Sequence, residues 1–393
     1  MRKVYIDYNA TTPLRAEVKT AIIEDLEIFG NASSMHTSGR MAKAKIEQSR
    51  AAVADLIGLK DKTQGSIIFT SGGSEANNMV FETMHRILEC PALNNVQLTR
   101  NEVLTLAIEH PSVLNIALNY QKEGKKVFIL PVDEYGKLKI DELEKALCGK
   151  TLFVSVMAAN NEIGTIQDIK EISALVRKSG AFFHVDAVQA AGKIPLSISD
   201  WDVDYLTISA HKIYGPKGVG ALFVKKGSPL FPLINGGHQE DGQRAGTYNN
   251  MGIFGFGVAA QLAAAELEKY KTEISALRDR LRLGLEKNIP NIKINGHPKD
   301  TLPNTLNVSF PGAEGEAILL SMDMLGIETS TGSACASGSL EPSHVLMAIG
   351  SAPEFAHGSI RFSLGWGITK EDIDYIIEVL PPVISRLRAM STF

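Results

Sequence analysis

Cysteine is scarce in this chain: Cys90, Cys148 and Cys335 are the only three among 393 residues. That excludes a disulfide scaffold and a Cys-rich zinc centre. Long hydrophobic runs are missing as well. The opening MRKVYIDYNATTP holds no apolar stretch of signal-peptide length, and no later run approaches a membrane span. Neither sign of charge dominates, and a formal net charge of -4 argues against nucleic acid or a membrane surface as the main partner. There is no internal repeat and no low-complexity tail. With 44% apolar and 21% charged residues the chain can bury a sizeable core. A cytoplasmic protein is expected, with Cys335 as a free thiol in a reducing compartment.

Short apolar runs alternate with helical patterns. GSIIFT (65–70), EVLTLAIE (102–109), KVFILPV (126–132), TLFVSVMA (151–158), AFFHVDA (181–187) and YLTISA (205–210) are predicted strands. They are short, rich in Val, Ile, Phe and Thr, and mostly apolar on both faces. IDELEKAL (140–147) and IKEISALVRKSG (169–180) are predicted helices, the second stopped by Gly180. This alternation gives an α/β fold with a mainly parallel sheet covered by helices on both faces. Residues 251–288 are predicted to form one long amphipathic helix leading into a second block, with strands near LNVSF (306–310) and SIRFSLG (359–365).

Several strand ends carry chemistry. In SAHKIYGPKG (209–218), Lys212 follows a strand directly, where open α/β sheets place their ligands. A lysine there can form a Schiff base with an aldehyde cofactor; a surface lysine beside a turn is the alternative. Asp186, in HVDAVQAAGK, can pair with a protonated pyridine nitrogen or merely cap the next helix. FTSGGSEANN (69–78) offers Gly72, Gly73 and Ser74 at a helix N-terminus, a phosphate-type turn. Together the three form a coherent site for pyridoxal 5'-phosphate. His110, in AIEHPSV, could stack on the pyridine face and shuttle protons, or be structural. In MAANNEIGT, one of Asn160 and Asn161 could bond the cofactor's ring oxygen or a substrate carboxylate, and either could be a turn asparagine.

At this point DYNATTP, FGNASSMH, TSGGSEANN, EHPSV, NNEIGTIQDI, HVDAVQAAGK, SAHKIYGPKG, GGHQEDGQRAGT, STGSACASGSLEPSHVL and SIRFSLG resemble, in order and over nearly the whole chain, the pyridoxal-phosphate cysteine desulfurases of the NifS/IscS type. The resemblance implies a fold-type I PLP-dependent transferase with a seven-stranded, mainly parallel sheet. It implies a large domain at 15–262 and a small α+β domain from 1–14 and 263–393, carrying a mobile cysteine loop at about 328–342. It implies that Lys212 bears the cofactor and moves the α-proton. Asp186 would pair with the pyridine nitrogen, with Gln189 and Asn161 near the ring oxygen and His110 stacked on the ring. Gly73, Ser74, Ser209 and His211 would bind the phosphate, joined by Thr247 from the other subunit of a homodimer. Arg361, helped by Asn161, would grip the carboxylate of L-cysteine. No intrinsic metal is implied, with Cys335 a candidate transient iron–sulfur ligand. The chain departs from the pattern at Gln243, where a second arginine is common.

The implied reaction takes L-cysteine to L-alanine and leaves the sulfur on Cys335 as a persulfide. A sulfur-acceptor protein, an iron–sulfur scaffold or a tRNA-thiolation relay, would then receive it. Cys335 lies in STGSACASGS (330–339), whose small residues suit a segment that visits both a pocket and an acceptor. A free thiol has a pKa of about 8.5, so His110 or the substrate itself is expected to take its proton. A selenocysteine lyase, or another class V enzyme on the same scaffold, is the alternative reading. Neither nucleic acid nor a membrane is an expected partner.

Overall fold

The β-branched and aromatic runs pair into sheets, and their ends set out the functional residues. A computed structural model describes residues 2–90, 100–331 and 342–390. The strands in chain order are β1 (Val4–Tyr5), β2 (Gly65–Thr70), β3 (Glu102–Leu106), β4 (Lys126–Leu130), β5 (Thr151–Met157), β6 (Phe182–Asp186), β7 (Tyr205–Ser209), β8 (Gly220–Lys225), β9 (Lys293–Asn295), β10 (Thr305–Ser309), β11 (Ile327–Glu328) and β12 (Ser359–Ser363). Seven of them make one sheet in the order β2-β8-β7-β6-β5-β3-β4. Only β8 runs against the others. It lies in GALFVK, which the sequence pattern alone does not separate from the preceding lysine segment. Every residue of β5 and β7 is buried, as expected of central strands covered on both faces.

Two further sheets sit outside this one: antiparallel β12-β10-β9 and the parallel pair β1-β11. They share a separate core that includes Val4, Ile6, Leu306, Phe362 and Ile373.

The predicted long helix is two helices, Asn250–Ala265 and Leu267–Asn288, broken at Glu266 (φ -105°, ψ 7°). The two helices differ in character. The first is not amphipathic: it buries Phe254, Phe256, Ala259 and Ala260 among its neighbours. A Cβ on Gly257 would fall 2.6 Å from Ser49 Oγ, so it crosses helix Thr37–Leu56 through bare backbone. At the junction, the Arg15 guanidinium forks onto Glu266, one arm reaching Oε1 at 2.8 Å. Helix Ile169–Ser179 ends as its sequence predicts, with Gly180 in the left-handed region (φ 72°).

Candidate active site

The C-terminal ends of β3, β5, β6 and β7 open on the same edge of the sheet, where a doubly wound fold places its ligands. Asp186 is the last residue of β6 and is 5% exposed. Its Oδ1 accepts from the Val188 amide (3.0 Å) and its Oδ2 from Asn77 Nδ2 (2.8 Å). Asn77 Nδ2 also donates to Ser112 Oγ (2.9 Å), and Ser112 Oγ lies 2.8 Å from His110 Nδ1. One side-chain network therefore ties Asp186 to His110.

His110 caps helix Pro111–Lys122, its Nδ1 accepting from the Ser112 amide at 3.1 Å. The neutral ring then carries its proton on Nε2. Burial lowers the pKa of His110; Lys212 and His344 push the same way, and Asp186 opposes them. Glu109, fully buried beside it, is pushed well up by burial and by the Asp186 charge. Its Oε1 accepts from the Met157 amide (2.7 Å).

Lys212 ends a short 3₁₀ turn after β7. Its Nζ donates to the backbone oxygens of Asn9 (2.5 Å) and Ala10 (2.8 Å). Residues 7–12 thus form a strap across the site. Thr12 reinforces it by hydrogen bonding to the His211 carbonyl through its amide (3.0 Å) and its hydroxyl (2.9 Å).

A cleft of about 460 Å³ lies beside Lys212, lined by Ser71, Gly73, Ser74, Ser209, His211 and Lys217, among others. The N-terminus of helix Gly73–Glu89 opens into it. A Cβ on Gly73 would fall 2.8 Å from the Val188 side chain, so only glycine lets the helix start so close. Ser209 Oγ is buried and has no hydrogen-bond partner among the described residues. Burial pushes the pKa of His211 down to about 4, helped by Lys212, Lys217 and Lys193. An unpartnered buried hydroxyl, a helix N-terminus and nearby lysines are the donor set a phosphate needs. With Lys212 and Asp186 at hand, the residues present fit pyridoxal 5'-phosphate.

Arg361 lies on β12 and is 2% exposed. One guanidinium nitrogen donates to Asp7 Oδ1 (2.6 Å), another to the Asn161 carbonyl (3.1 Å). The pair of asparagines divides its labour. Asn160 Oδ1 accepts from the amides of Glu162 and Ile163, making it the turn residue, whereas the backbone carbonyl of Asn161 accepts from Arg361 and Asn9. Gln189 donates through Nε2 to the Asn9 carbonyl (3.0 Å).

Thr247 is not brought to this cleft; it is exposed on the loop before helix Asn250–Ala265. Near it, Arg244 grips Glu75 (2.8 Å), whose other oxygen accepts from the Ser71 amide (2.7 Å). Cys335 lies outside the described residues. The chain on either side of it is anchored at the site. Ser330 accepts from the Arg361 amide (2.7 Å), Ser343 Oγ donates to Glu162 (2.5 Å), and His344 Nε2 donates to the Glu109 carbonyl (3.0 Å). Cys90 and Cys148 are exposed and away from the site.

Residues 4–376 match the family model of class V aminotransferases. The chain belongs to the class V aminotransferase family. Among its curated relatives is the cysteine desulfurase IscS of Dictyoglomus turgidum, 47% identical over 393 residues, which cover all of this chain and 97% of the relative. Among solved structures, a NifS-like protein superposes with a TM-score of 0.89 at 36% identity, covering 98% of this chain and all of that one. A structure of SspA in complex with cysteine superposes at 0.79 with 31% identity, covering 92% and 99%. This class V member has the fold-type I architecture of its NifS-like neighbours, as the sequence predicts. Four polar residues that complete the site carry no role in the motifs that contain them: Asp7 and Asn9 in DYNATTP, Asn77 in TSGGSEANN and Lys193 in HVDAVQAAGK.

Proposed function

We propose that the chain is a pyridoxal-phosphate-dependent cysteine desulfurase that converts L-cysteine to L-alanine and leaves the sulfur on Cys335. The observation that carries this is the convergence of Lys212, Asp186, the Gly73–Ser209 cleft and Arg361 on one edge of the sheet, in a chain related to cysteine desulfurases over its full length. Pyridoxal 5'-phosphate, when bound, supplies an aldehyde for the substrate amine and a ring that accepts electrons from the bonds at its α-carbon.

Lys212 Nζ would hold the aldehyde and would move a proton at the substrate α-carbon. Asp186, fixed by Asn77 and the Val188 amide, would keep a proton on the ring nitrogen. Gly73, Ser74, Ser209 and His211 would hold the phosphate, with Thr247 of a second copy completing the set. His110 would pack against the cofactor and offer its Nε2–H, and Gln189 and Asn161 would bond its ring oxygen. Arg361 would take the substrate carboxylate, helped by Asn161.

The Cys335 thiolate attacks the substrate sulfur. The C–S bond breaks with its electron pair going to carbon, which takes a proton, and an S–S bond forms on Cys335. With His110 Nδ1 committed to the Ser112 amide, the substrate itself is the better acceptor for the Cys335 proton. On this reading residues 15–262 form the cofactor lobe, and 1–14 with 263–393 the lobe that bears Arg361 and Cys335; the separate core around β10 and β12 supports that division, while Leu302, Val345, Leu346, Ile349 and Ala356 pack across it into the larger core. The persulfide passes to a sulfur-acceptor protein, an iron–sulfur scaffold or a tRNA-thiolation relay, in the cytoplasm. Among the described residues no helix is long and apolar enough to cross a membrane.

The test is turnover of L-cysteine to L-alanine by wild type and Cys335→Ala. The variant should keep the cofactor's visible band and lose alanine formation. Full turnover without Cys335 would reject the assigned nucleophile.

A further inference from the structure

Lys193 takes no part in the chemistry above, yet it is 3% exposed and sits within the same polar cluster. No carboxylate pairs with it among the described residues. Its Nζ donates to Gln189 Oε1 (2.8 Å) and to Asn9 Oδ1 (3.1 Å). Burial holds its pKa well below the ordinary lysine value, and the charges of Lys212 and Arg361 push the same way. A lysine buried without a counter-charge is costly, and an apolar residue would fill the space more cheaply. What an apolar residue cannot do is donate.

Both acceptors are carboxamides, which can turn over and exchange donor for acceptor. A donor at Lys193 removes that freedom. With Oε1 facing Lys193, Gln189 must direct Nε2 to the Asn9 carbonyl, the same oxygen that receives Lys212 Nζ. With Oδ1 facing Lys193 and Asn304 Nδ2 (2.9 Å), Asn9 must direct Nδ2 to Thr305 Oγ1 (2.8 Å) and the Asn161 carbonyl (3.1 Å). That Asn161 carbonyl also accepts from Arg361. The Asn9 and Asn161 carbonyls, which can only accept, demand the same sense, and Lys193 supplies the matching donor at the other end of both amides, in a chain running from Lys212 through Asn9 and Asn161 to Arg361.

We propose that Lys193 is a positioning residue for this site: by donating to both Gln189 and Asn9 it locks their amides in place and so holds the 7–12 strap in register with both Lys212 and Arg361. This rests on the reading of Lys212 as the lysine that bears the cofactor.

The experiment is a double-mutant cycle on the full-length protein, reading the Kd for added pyridoxal 5'-phosphate, the position of its visible band, and KM and kcat for L-cysteine. Lys193→Met, which keeps the length and removes the donors, should weaken cofactor binding about tenfold, the worth of a charge-assisted hydrogen bond. It should also move the visible band and raise KM. In a Gln189→Ala background the same change should cost only about threefold in Kd, because the part of its effect that passes through Gln189 is gone and the part through Asn9 remains. A Kd within about twofold of wild type in Lys193→Met would overturn the proposal. So would a full effect that persists without Gln189, which is the result a merely structural lysine gives. Should Lys193→Met not fold, Lys193→Gln carries the same cycle. Borohydride reduction of the loaded wild type, followed by peptide mass analysis, must place the cofactor on Lys212; fixation on another lysine overturns that reading, and the proposal with it.

Discussion

On the proposed reading, the two ends of the site are built to hold their anions differently. At the phosphate end the donors come from a helix N-terminus, backbone and the Ser209 hydroxyl, which has no partner among the described residues. At the carboxylate end the donor is one buried guanidinium already bonded to Asp7 and the Asn161 carbonyl. A rigid backbone cradle suits an anion that stays. A side chain that already holds one carboxylate suits an anion that comes and goes, because Arg361 is paired with Asp7 whenever substrate is absent. The difference separates a resident group from a substrate by construction alone.

The largest effect expected is at the residue between the two ends. Lys212→Ala should lower turnover by on the order of 10³-fold and abolish borohydride-fixable cofactor, since both tether and proton carrier are lost. At the carboxylate end, Arg361→Lys keeps the charge and loses the planar fork. The kcat/KM for L-cysteine should fall by roughly 10- to 100-fold while cofactor Kd stays put; an equal loss in cofactor Kd would erase the distinction between the ends.

Asp7→Asn leaves Arg361 facing an amide instead of a carboxylate. We expect a loss of about 2–3 kcal/mol in urea unfolding, partly recovered by saturating L-alanine. No recovery would show that Asp7 and substrate do not share the guanidinium. At the phosphate end, Ser209→Ala should weaken cofactor binding about tenfold. It should leave the melting temperature of the cofactor-free protein unchanged, because no hydrogen bond among the described residues is lost. The opposite pattern at Ser209 would make the cleft a structural feature.

The smallest effect is in pH. Burial holds His184 near a pKa of about 3 and His211 near about 4, whereas in the unfolded chain both titrate near 6.5. Below pH 6.5 these two histidines bind more protons in the unfolded state, so their contribution to stability should be flat above about pH 7 and fall as the pH drops towards 4. Glu109 and Glu240, whose carboxyls burial raises, act in the opposite sense, so the check is the difference between wild type and His184→Gln, and a pH slope between 7 and 5 unchanged by that substitution would contradict the His184 assignment.

Much of this was legible because α/β proteins place their chemistry at strand ends, and strands announce themselves. Lys212, Asp186, His110 and the Gly73 turn each follow a run that could be read as a strand. What stayed hidden depends on contacts between segments distant in sequence. Nothing near Glu266 in the chain marks a helix break; Arg15, 251 positions earlier, meets it there. Asn160 and Asn161 look alike in sequence, and only the turn amides bonded to Asn160 tell them apart. Asn9 and Lys193 acquire meaning only once the strap crosses the sheet. Cys335 and Thr247 depend on a segment outside the described residues and on a second copy of the chain, so sequence motifs carry those two roles.

The most direct test is mass analysis of the Cys335 peptide after the loaded protein has been incubated with L-cysteine and no acceptor. The peptide should be heavier by one sulfur, in step with the first equivalent of L-alanine formed. An unmodified Cys335 peptide alongside continuing alanine production would contradict sulfur transfer to this thiol.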